Sequence, residues 1–301
     1  MDLRALPIAI TGASSGIGRA TALACARAGM PVAVSARRAD RLDQLVEEIK
    51  AFGGRALAVP GDVSNQGDCR RLIDATAETF GSIYAVFANA GYGLERPIHQ
   101  CSEQDLRDIF ETNFWGTLHT IRPALDRMLA VPPATVPPIP VPPTSSALGR
   151  SRCSPKPRGH ILICSSSLSK LGMPYHGHYS ATKAAQDHIA RAMRIELRGT
   201  GIHISSVHPI GTRTELFEKS EERSGGRHAP RTPNFLMQPS ETVANAVVRC
   251  LRRGDRNPPG EVWTSLPMRL AFALGVAMPG LTDRILRRMA DKVTSAERPA
   301  R

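Results

Sequence analysis

Tyr179 and Lys183 are the residues of this sequence best suited to moving a proton. They stand four apart in Tyr179-Ser180-Ala181-Thr182-Lys183. The segment reads as helix, and that spacing puts both side chains on one helical face, able to act on a single bound molecule. A free phenol titrates near about 10, which makes it a poor acid–base catalyst at neutral pH, and a fixed cation beside it favours the phenolate. Tyr and Lys at this spacing also occur on solvated helix faces. The pair therefore takes its meaning from what precedes it, at Ser166 and at the glycines near the N-terminus.

Those glycines are Gly12, Gly16 and Gly18, in Thr11-Gly12-Ala13-Ser14-Ser15-Gly16-Ile17-Gly18. The apolar run Leu6 to Ile10 reads as a buried strand, and Arg19 to Ala28 as an alanine-rich helix. The glycines thus occupy a strand-to-helix turn, where missing Cβ atoms let a phosphate approach the backbone. The helix N-terminus adds N–H donors and the positive end of its dipole. Three glycines in a turn are a weak signal alone; on strand, turn and helix at the start of an α/β chain they favour a dinucleotide over a purely structural turn.

Gly12, Gly16 and Gly18, then Asn89-Ala90-Gly91, Asn113, Ser166, Tyr179 and Lys183, together resemble the classical short-chain dehydrogenase/reductase family. The resemblance runs from about Leu6 to Val262 with one interruption, and the motifs come in the family's order. Ser166 lies 13 residues before Tyr179, the family's usual separation, which selects it over Ser165 and Ser167. The resemblance implies an oxidoreductase that moves a hydride between a nicotinamide cofactor and a carbonyl or alcohol. It makes Tyr179 the acid in reduction and Ser166 the group that orients the carbonyl. Lys183 then bonds the nicotinamide ribose and lowers the phenol pKa, while Asn113 kinks its helix and holds a water in a proton relay. Ser14, Ser15 and Ile17 belong to the glycine motif, and Asp62-Val63 matches the adenine contact. Asn89 serves either the cofactor or the sheet. His208-Pro209-Ile210-Gly211-Thr212-Arg213-Thr214 matches the segment that closes over the nicotinamide, Thr214 at the position that bonds the carboxamide. The family usually has Gly directly after the Pro; here Ile210 intervenes before Gly211.

NADP(H) is the expected cofactor. An NAD-binding fold usually ends its second strand in a carboxylate for the ribose hydroxyls. Here Val32-Ala33-Val34-Ser35-Ala36 leads into Arg37-Arg38, and the first acid is Asp40. An arginine fork pairs with a phosphate dianion and gains nothing comparable from a hydroxyl. Arg37 matches the basic position that NADP-preferring relatives use, with Arg38 beside it.

Around these residues the chain alternates short apolar runs with amphipathic stretches. Strands are expected at Leu6 to Thr11, Pro31 to Ala36, Arg55 to Pro60, Ile83 to Ala88, His160 to Ser165, Ile202 to His208 and Glu261 to Thr264. That pattern predicts an α/β fold, a single doubly wound parallel-sheet Rossmann domain, with a proline-rich insertion and a C-terminal helical tail. At 301 residues the chain can bury a substantial core. The domain is assigned to residues 1–265, including a proline-rich insertion at 131–158 and a substrate lid at 214–239; residues 266–301 form the extension. Repeated proline at 132–143 cannot continue a helix or join a central strand. It reads as a tolerated surface loop or as a ligand for a proline-recognising module.

Six scattered cysteines without C-x-x-C spacing fit a reducing, cytoplasmic compartment, and they offer no ligand cluster for a metal. The chain begins only a few residues before its first strand, which leaves no room for a signal peptide. A net charge of +12 raises the question of nucleic acid, but only 5% of residues are aromatic and no recognition motif accompanies the charge. A generally basic surface is the simpler account. In the tail, Leu270 to Met278 is apolar, and Leu281, Ile285, Leu286 and Met289 share one face beside Arg284, Arg287 and Arg288. Nine apolar residues cannot span a bilayer, which takes about 20 in a helix. They line the pocket, complete a subunit interface or lie in a membrane surface.

The lid carries Phe217, Phe235, Leu236 and Met237 among charges that include Arg223, Arg227 and Arg231, and Gly225-Gly226 gives it mobility. An apolar carbonyl compound, a lipid, sterol or retinoid-like ketone or aldehyde, fits those aromatics, which otherwise simply anchor the lid. The alternative to an enzyme is a non-catalytic NADP-binding sensor or scaffold. Family members commonly form dimers or tetramers, so a homo-oligomer is open, with the insertion beside one such contact.

Overall fold

The computed structural model describes residues 1–130, 157–226, 237–254 and 257–296. The proline-rich stretch lies outside them, apart from its last two residues, as do Arg227, Arg231, Phe235, Leu236 and the side chain of Phe217.

Strand and helix alternate along the chain. The strands are β1 (Ile8–Thr11), β2 (Val32–Ser35), β3 (Ala56–Ala58), β4 (Ala85–Ala88), β5 (Gly159–Cys164), β6 (Ile202–His208) and β7 (Glu261–Trp263). The helices are α1 (Gly16–Arg27), α2 (Ala39–Ala51), α3 (Gln66–Phe80), α4 (Glu103–Phe110), α5 (Gly116–Ala130), α6 (Gly177–Glu196), α7 (Glu215–Arg223), α8 (Ser240–Leu251), α9 (Leu266–Ala277) and α10 (Pro279–Ala296). The expected strands are all present, several of them shorter than the apolar runs that mark them. The strands pair in parallel in the order β3-β2-β1-β4-β5-β6-β7.

Successive side chains along each strand point to opposite faces, and both faces are buried. Ile8, Ile10, Val32, Val34 and Phe87 join one core with α1, α2 and α8. Ala9, Ala33 and Val86 join the other, beneath α3, α5 and α6. This is the doubly wound sheet the sequence predicts. Strand order reverses between β1 and β4, and the crevice at their carboxyl ends is where ligands bind in such sheets. Asn89 closes the base of that crevice: its amide donates to the Thr11 carbonyl at 3.0 Å, and its backbone N–H to the Thr11 hydroxyl at 3.0 Å. Asn89 thus joins the ends of β1 and β4.

The extension is helical. Phe272 of α9 packs against Trp263 of β7, ring centres 6.2 Å apart, and the Thr282 hydroxyl donates to the Gly275 carbonyl at 2.8 Å, tying α10 to α9. No helix among the described residues is long and apolar enough to cross a membrane.

Candidate active site

A cavity of about 790 Å³ occupies the carboxyl edge of the sheet. Every residue singled out by sequence for catalysis or cofactor contact lines it except Gly18 and Asn113, which stand just behind its wall.

At one end is the glycine turn. Gly12 and Gly16 have φ of +67° and +55°, the left-handed region that favours glycine. A Cβ on Gly18 would lie 2.4 Å from the Gly12 carbonyl oxygen, and one on Gly16 2.8 Å from Thr214, so the turn closes only without side chains. The two arginines that follow β2 differ. Arg38 turns inward: its guanidinium donates to the hydroxyls of Ser14 and Ser15 at 2.9 and 3.0 Å, and to Glu215 at 2.9 Å. Arg37 stays 69% exposed, 3.8 Å from Asp62. The basic group fixed against the glycine turn is therefore Arg38, whereas the sequence puts Arg37 first. Glu215, the first residue of α7, also takes Lys219 and Arg41 as partners, and their hydrogen bonds pull its carboxyl down to about 2. A glycine cradle beside an inward-turned guanidinium fits the phosphates of a dinucleotide.

At the other end stand Tyr179, Ser166 and Lys183. α6 presents Tyr179 and Lys183 on one face, as their spacing requires. The three serines after β5 divide cleanly. Ser165 spends its hydroxyl on the Lys183 carbonyl at 3.0 Å, and Ser167 bonds Pro209 through its backbone N–H. Ser166 alone hydrogen-bonds the Tyr179 phenol, and its Oγ also accepts from the Leu168 N–H at 3.1 Å. Lys183 is buried, and its Nζ donates to the Cys164 carbonyl at 2.7 Å. Burial pushes the lysine pKa down. The phenol goes up instead: burial is the largest cause, Cys164 adds to it, and the Ser166 hydrogen bond opposes them. Lys183 has no part in that rise. The ammonium lies 5.6 Å from the ring centre and is spent on a carbonyl.

Asn113 sits in a π-helical turn, Glu111–Trp115, between α4 and α5, the kink expected of it. Its side chain accepts from the Tyr92 N–H and donates to the Tyr92 carbonyl and the Thr182 hydroxyl. Its own carbonyl accepts from Gln186 and Thr117. Asn113 thereby fixes the loop after β4 to α6, behind Gly91, where a Cβ would lie 2.9 Å from its Oδ1.

The segment after β6 keeps a defined course despite Ile210. Gln238 bonds both sides of it, donating to the Gly211 carbonyl at 2.8 Å and accepting from the Arg213 N–H at 2.9 Å. Thr214 caps α7 with its hydroxyl. The wall beyond Tyr179 is more apolar than the cofactor end. Met173, Tyr175, Met268, Phe272 and Met289 contribute to it, the last three from the C-terminal helices. Tyr175 holds φ of +66°, a strained conformation for a bulky side chain, with its carbonyl held by the Arg96 N–H at 2.9 Å. Burial pushes His176 down to about 4, so it lines the cavity as a neutral imidazole.

Beneath Ser166 lies a charged cluster. His208 Nδ1 is 3.1 Å from the Ser166 carbonyl, and its Nε2 is 3.3 Å from Asp187. Lys170 donates to both Asp187 and Glu261. Burial alone would raise the Asp187 pKa; hydrogen bonds from His208 and Lys170 hold it well below the usual carboxylate range. Asp187, His208 and Glu261 place ligand atoms within 4.8 Å of one another, a grouping that residue spacing does not reveal. The Lys170 ammonium supplies the cation for both carboxylates.

Comparison with known proteins bears on the family and the fold. The short chain dehydrogenase family model matches residues 7–136 and 148–225. The 11-beta-hydroxysteroid dehydrogenase A of Arachis hypogaea is 34% identical over 91% of this chain and 72% of its own. An alcohol dehydrogenase from the archaeon Thermococcus sibiricus, complexed with 5-hydroxy-NADP, superposes with a TM-score of 0.68 at 26% identity, over 86% of this chain and 95% of its own. A Burkholderia phymatum relative in complex with NAD has the same fold, with a TM-score of 0.74 at 23% identity over 94% and 96% of the two chains. The chain belongs to the short-chain dehydrogenase family and is an oxidoreductase of the kind that acts on CH–OH groups with a nicotinamide nucleotide.

Proposed function

We propose that this short-chain dehydrogenase uses NADP(H), and that its substrate is an apolar ketone or aldehyde, or the matching alcohol. One observation carries the reading. The Tyr179 phenol, Ser166 hydroxyl and Lys183 ammonium line the same cavity whose far end holds Gly12, Ser14, Ser15 and Arg38. When bound, NADP(H) supplies or accepts the hydride. Hydride arrival at a carbonyl carbon leaves charge on oxygen, which needs a donor within hydrogen-bond reach. Tyr179 donates that proton, and burial keeps its phenol protonated at neutral pH, ready to act as the acid. Ser166 already bonds the phenol and orients the same oxygen. Lys183 holds its ammonium over the Tyr179 ring, where it would bond the ribose hydroxyls of a bound nucleotide and offset the phenolate charge once the proton has left. Asn113 acts at one remove by fixing α6 and the loop after β4.

Arg38, assisted by Arg37, meets the extra phosphate that distinguishes NADP from NAD. The apolar wall of Met173, Met268 and Phe272 favours a lipid-like substrate, in keeping with the steroid named for the Arachis relative. Cys25, Cys69, Cys101, Cys164 and Cys250 are unpaired thiols, which fits the reducing cytoplasm. Tyr179→Phe tests the assignment: NADPH binding survives while turnover falls by roughly 10²–10⁴-fold. Unchanged turnover would remove Tyr179 from the mechanism.

A further inference from the structure

α9 and α10 leave a broad apolar face uncovered among the described residues. α9 buries none of its residues, and Leu266, Leu270 and Leu274 form a ridge exposed to 63%, 62% and 57%. On α10, Leu281, Ile285 and Met289 repeat the same i, i+4 spacing and are likewise exposed. Eight of the 13 exposed large hydrophobic side chains among the described residues fall between Leu266 and Met289. Apolar side chains scattered singly need no explanation, but a concentration of this kind marks a surface that docks on something.

The charges around it say what. Residues 266–291 carry four arginines, Arg269, Arg284, Arg287 and Arg288, against two aspartates. At about 100° per residue, Arg288 and Arg284 lie about 20° and 60° to one side of the Leu281–Ile285–Met289 row, with Asp291 about 20° beyond Arg284. An apolar ridge with a cationic edge complements an anionic lipid surface, where each arginine gains attraction as the leucines enter the acyl boundary. A second copy docked by two-fold symmetry would instead bring like charges face to face. The inner side of α9 carries Met268 and Phe272 into the cavity wall, and Met289, at the end of the exposed row, reaches the same wall from α10.

We infer that α9 and α10 are a docking surface for anionic lipid bilayers, lying in the membrane interface without crossing it, and that lipid-dissolved substrates reach the cavity past these helices. The docking stands on the exposed face; the entry route rests on the apolar-substrate reading above.

The test is sedimentation of the full chain with vesicles of phosphatidylcholine containing about 30% phosphatidylglycerol, set against pure phosphatidylcholine. Binding to the charged vesicles, weakened by salt and at least tenfold tighter than to neutral ones, is expected. Leu270→Asp with Leu274→Asp lowers that affinity by roughly 100-fold or more. Arg284→Glu with Arg288→Glu lowers it by at least about 25-fold. NADPH binding and turnover of a small water-soluble aldehyde are measured alongside and stay unchanged, which separates docking from catalysis. Absence of vesicle binding by protein that still binds NADPH overturns the proposal. So does a leucine pair variant that keeps its vesicle affinity and converts a dimer to a monomer, which would assign the face to a second copy.

Discussion

Replacing Arg38 by alanine separates the two nicotinamide nucleotides. The guanidinium is already oriented, held by Ser14 and Ser15 and paired with Glu215. A hydrogen bond to a charged group is worth about 1.5–3 kcal/mol, and an arginine–phosphate pair makes up to two. Part of that gain is forfeited, because a 2′-phosphate must draw Arg38 from the Glu215 carboxylate, and the arginine side chain is 31% exposed. A surface ion pair of that kind is worth about 1 kcal/mol. The net loss on Arg38→Ala is therefore about 2 kcal/mol, or roughly 30-fold in the NADPH Kd. NADH has no such phosphate, and its Kd changes by less than about threefold. Arg37→Ala, at a side chain 69% exposed, weakens NADPH by only about two- to fivefold. Glu215→Gln removes the competing carboxylate and tightens NADPH by up to about fivefold. Calorimetric titration of each variant with both nucleotides reads all of these directly. Equal weakening of NADPH and NADH by Arg38→Ala would refute the phosphate assignment, and an Arg37 effect larger than that of Arg38 would refute the reading of which arginine turns inward.

Two further outcomes follow from the site's electrostatics. Asp187→Asn takes the carboxylate from His208 and Lys170 and costs about 3 kcal/mol of stability, seen as a lower denaturant midpoint. Because the folded-state pKa of Asp187 is depressed, that advantage of the wild type is full above the unfolded value of about 3.9 and disappears as pH falls further; a difference that persisted undiminished well below that pH would contradict the pairing. In the cofactor-free protein the buried Tyr179 phenol stays protonated past the ordinary tyrosine range, so ultraviolet difference spectra of wild type against Tyr179→Phe show no tyrosinate from this residue below about pH 10. A tyrosinate signal near neutrality would mean that the burial argument fails.

The parts of this site that were legible in the sequence are those set by local geometry. A spacing of four on a helix places Tyr179 beside Lys183 whatever surrounds them, and glycines between a strand and a helix make a turn open to phosphate. Alternating apolar runs likewise announced the parallel sheet. Other features depend on partners distant in the chain. Arg38 rather than Arg37 turns inward because Ser14, Ser15 and Glu215 wait for it, and neighbouring arginines look alike in a sequence. Lys170, Asp187, His208 and Glu261 come from four separate segments. A lysine near a tyrosine is expected to depress the phenol pKa, yet the sequence does not reveal that the Cys164 carbonyl claims that ammonium. Asn89, open between two roles in the sequence, is engaged with Thr11 at the junction of β1 and β4.

The most direct test of hydride transfer through Tyr179 uses NADPH deuterated at the transferring position of its nicotinamide. The protein is incubated with it and a cell-extract pool of apolar carbonyl compounds, and the products are read by mass spectrometry. Deuterium should appear in one or more alcohols made by the wild type and in none made by Tyr179→Phe. Equal labelling by both proteins, or no label from wild type that demonstrably binds NADPH when steroid, retinoid and fatty carbonyl compounds are all supplied, would contradict the account.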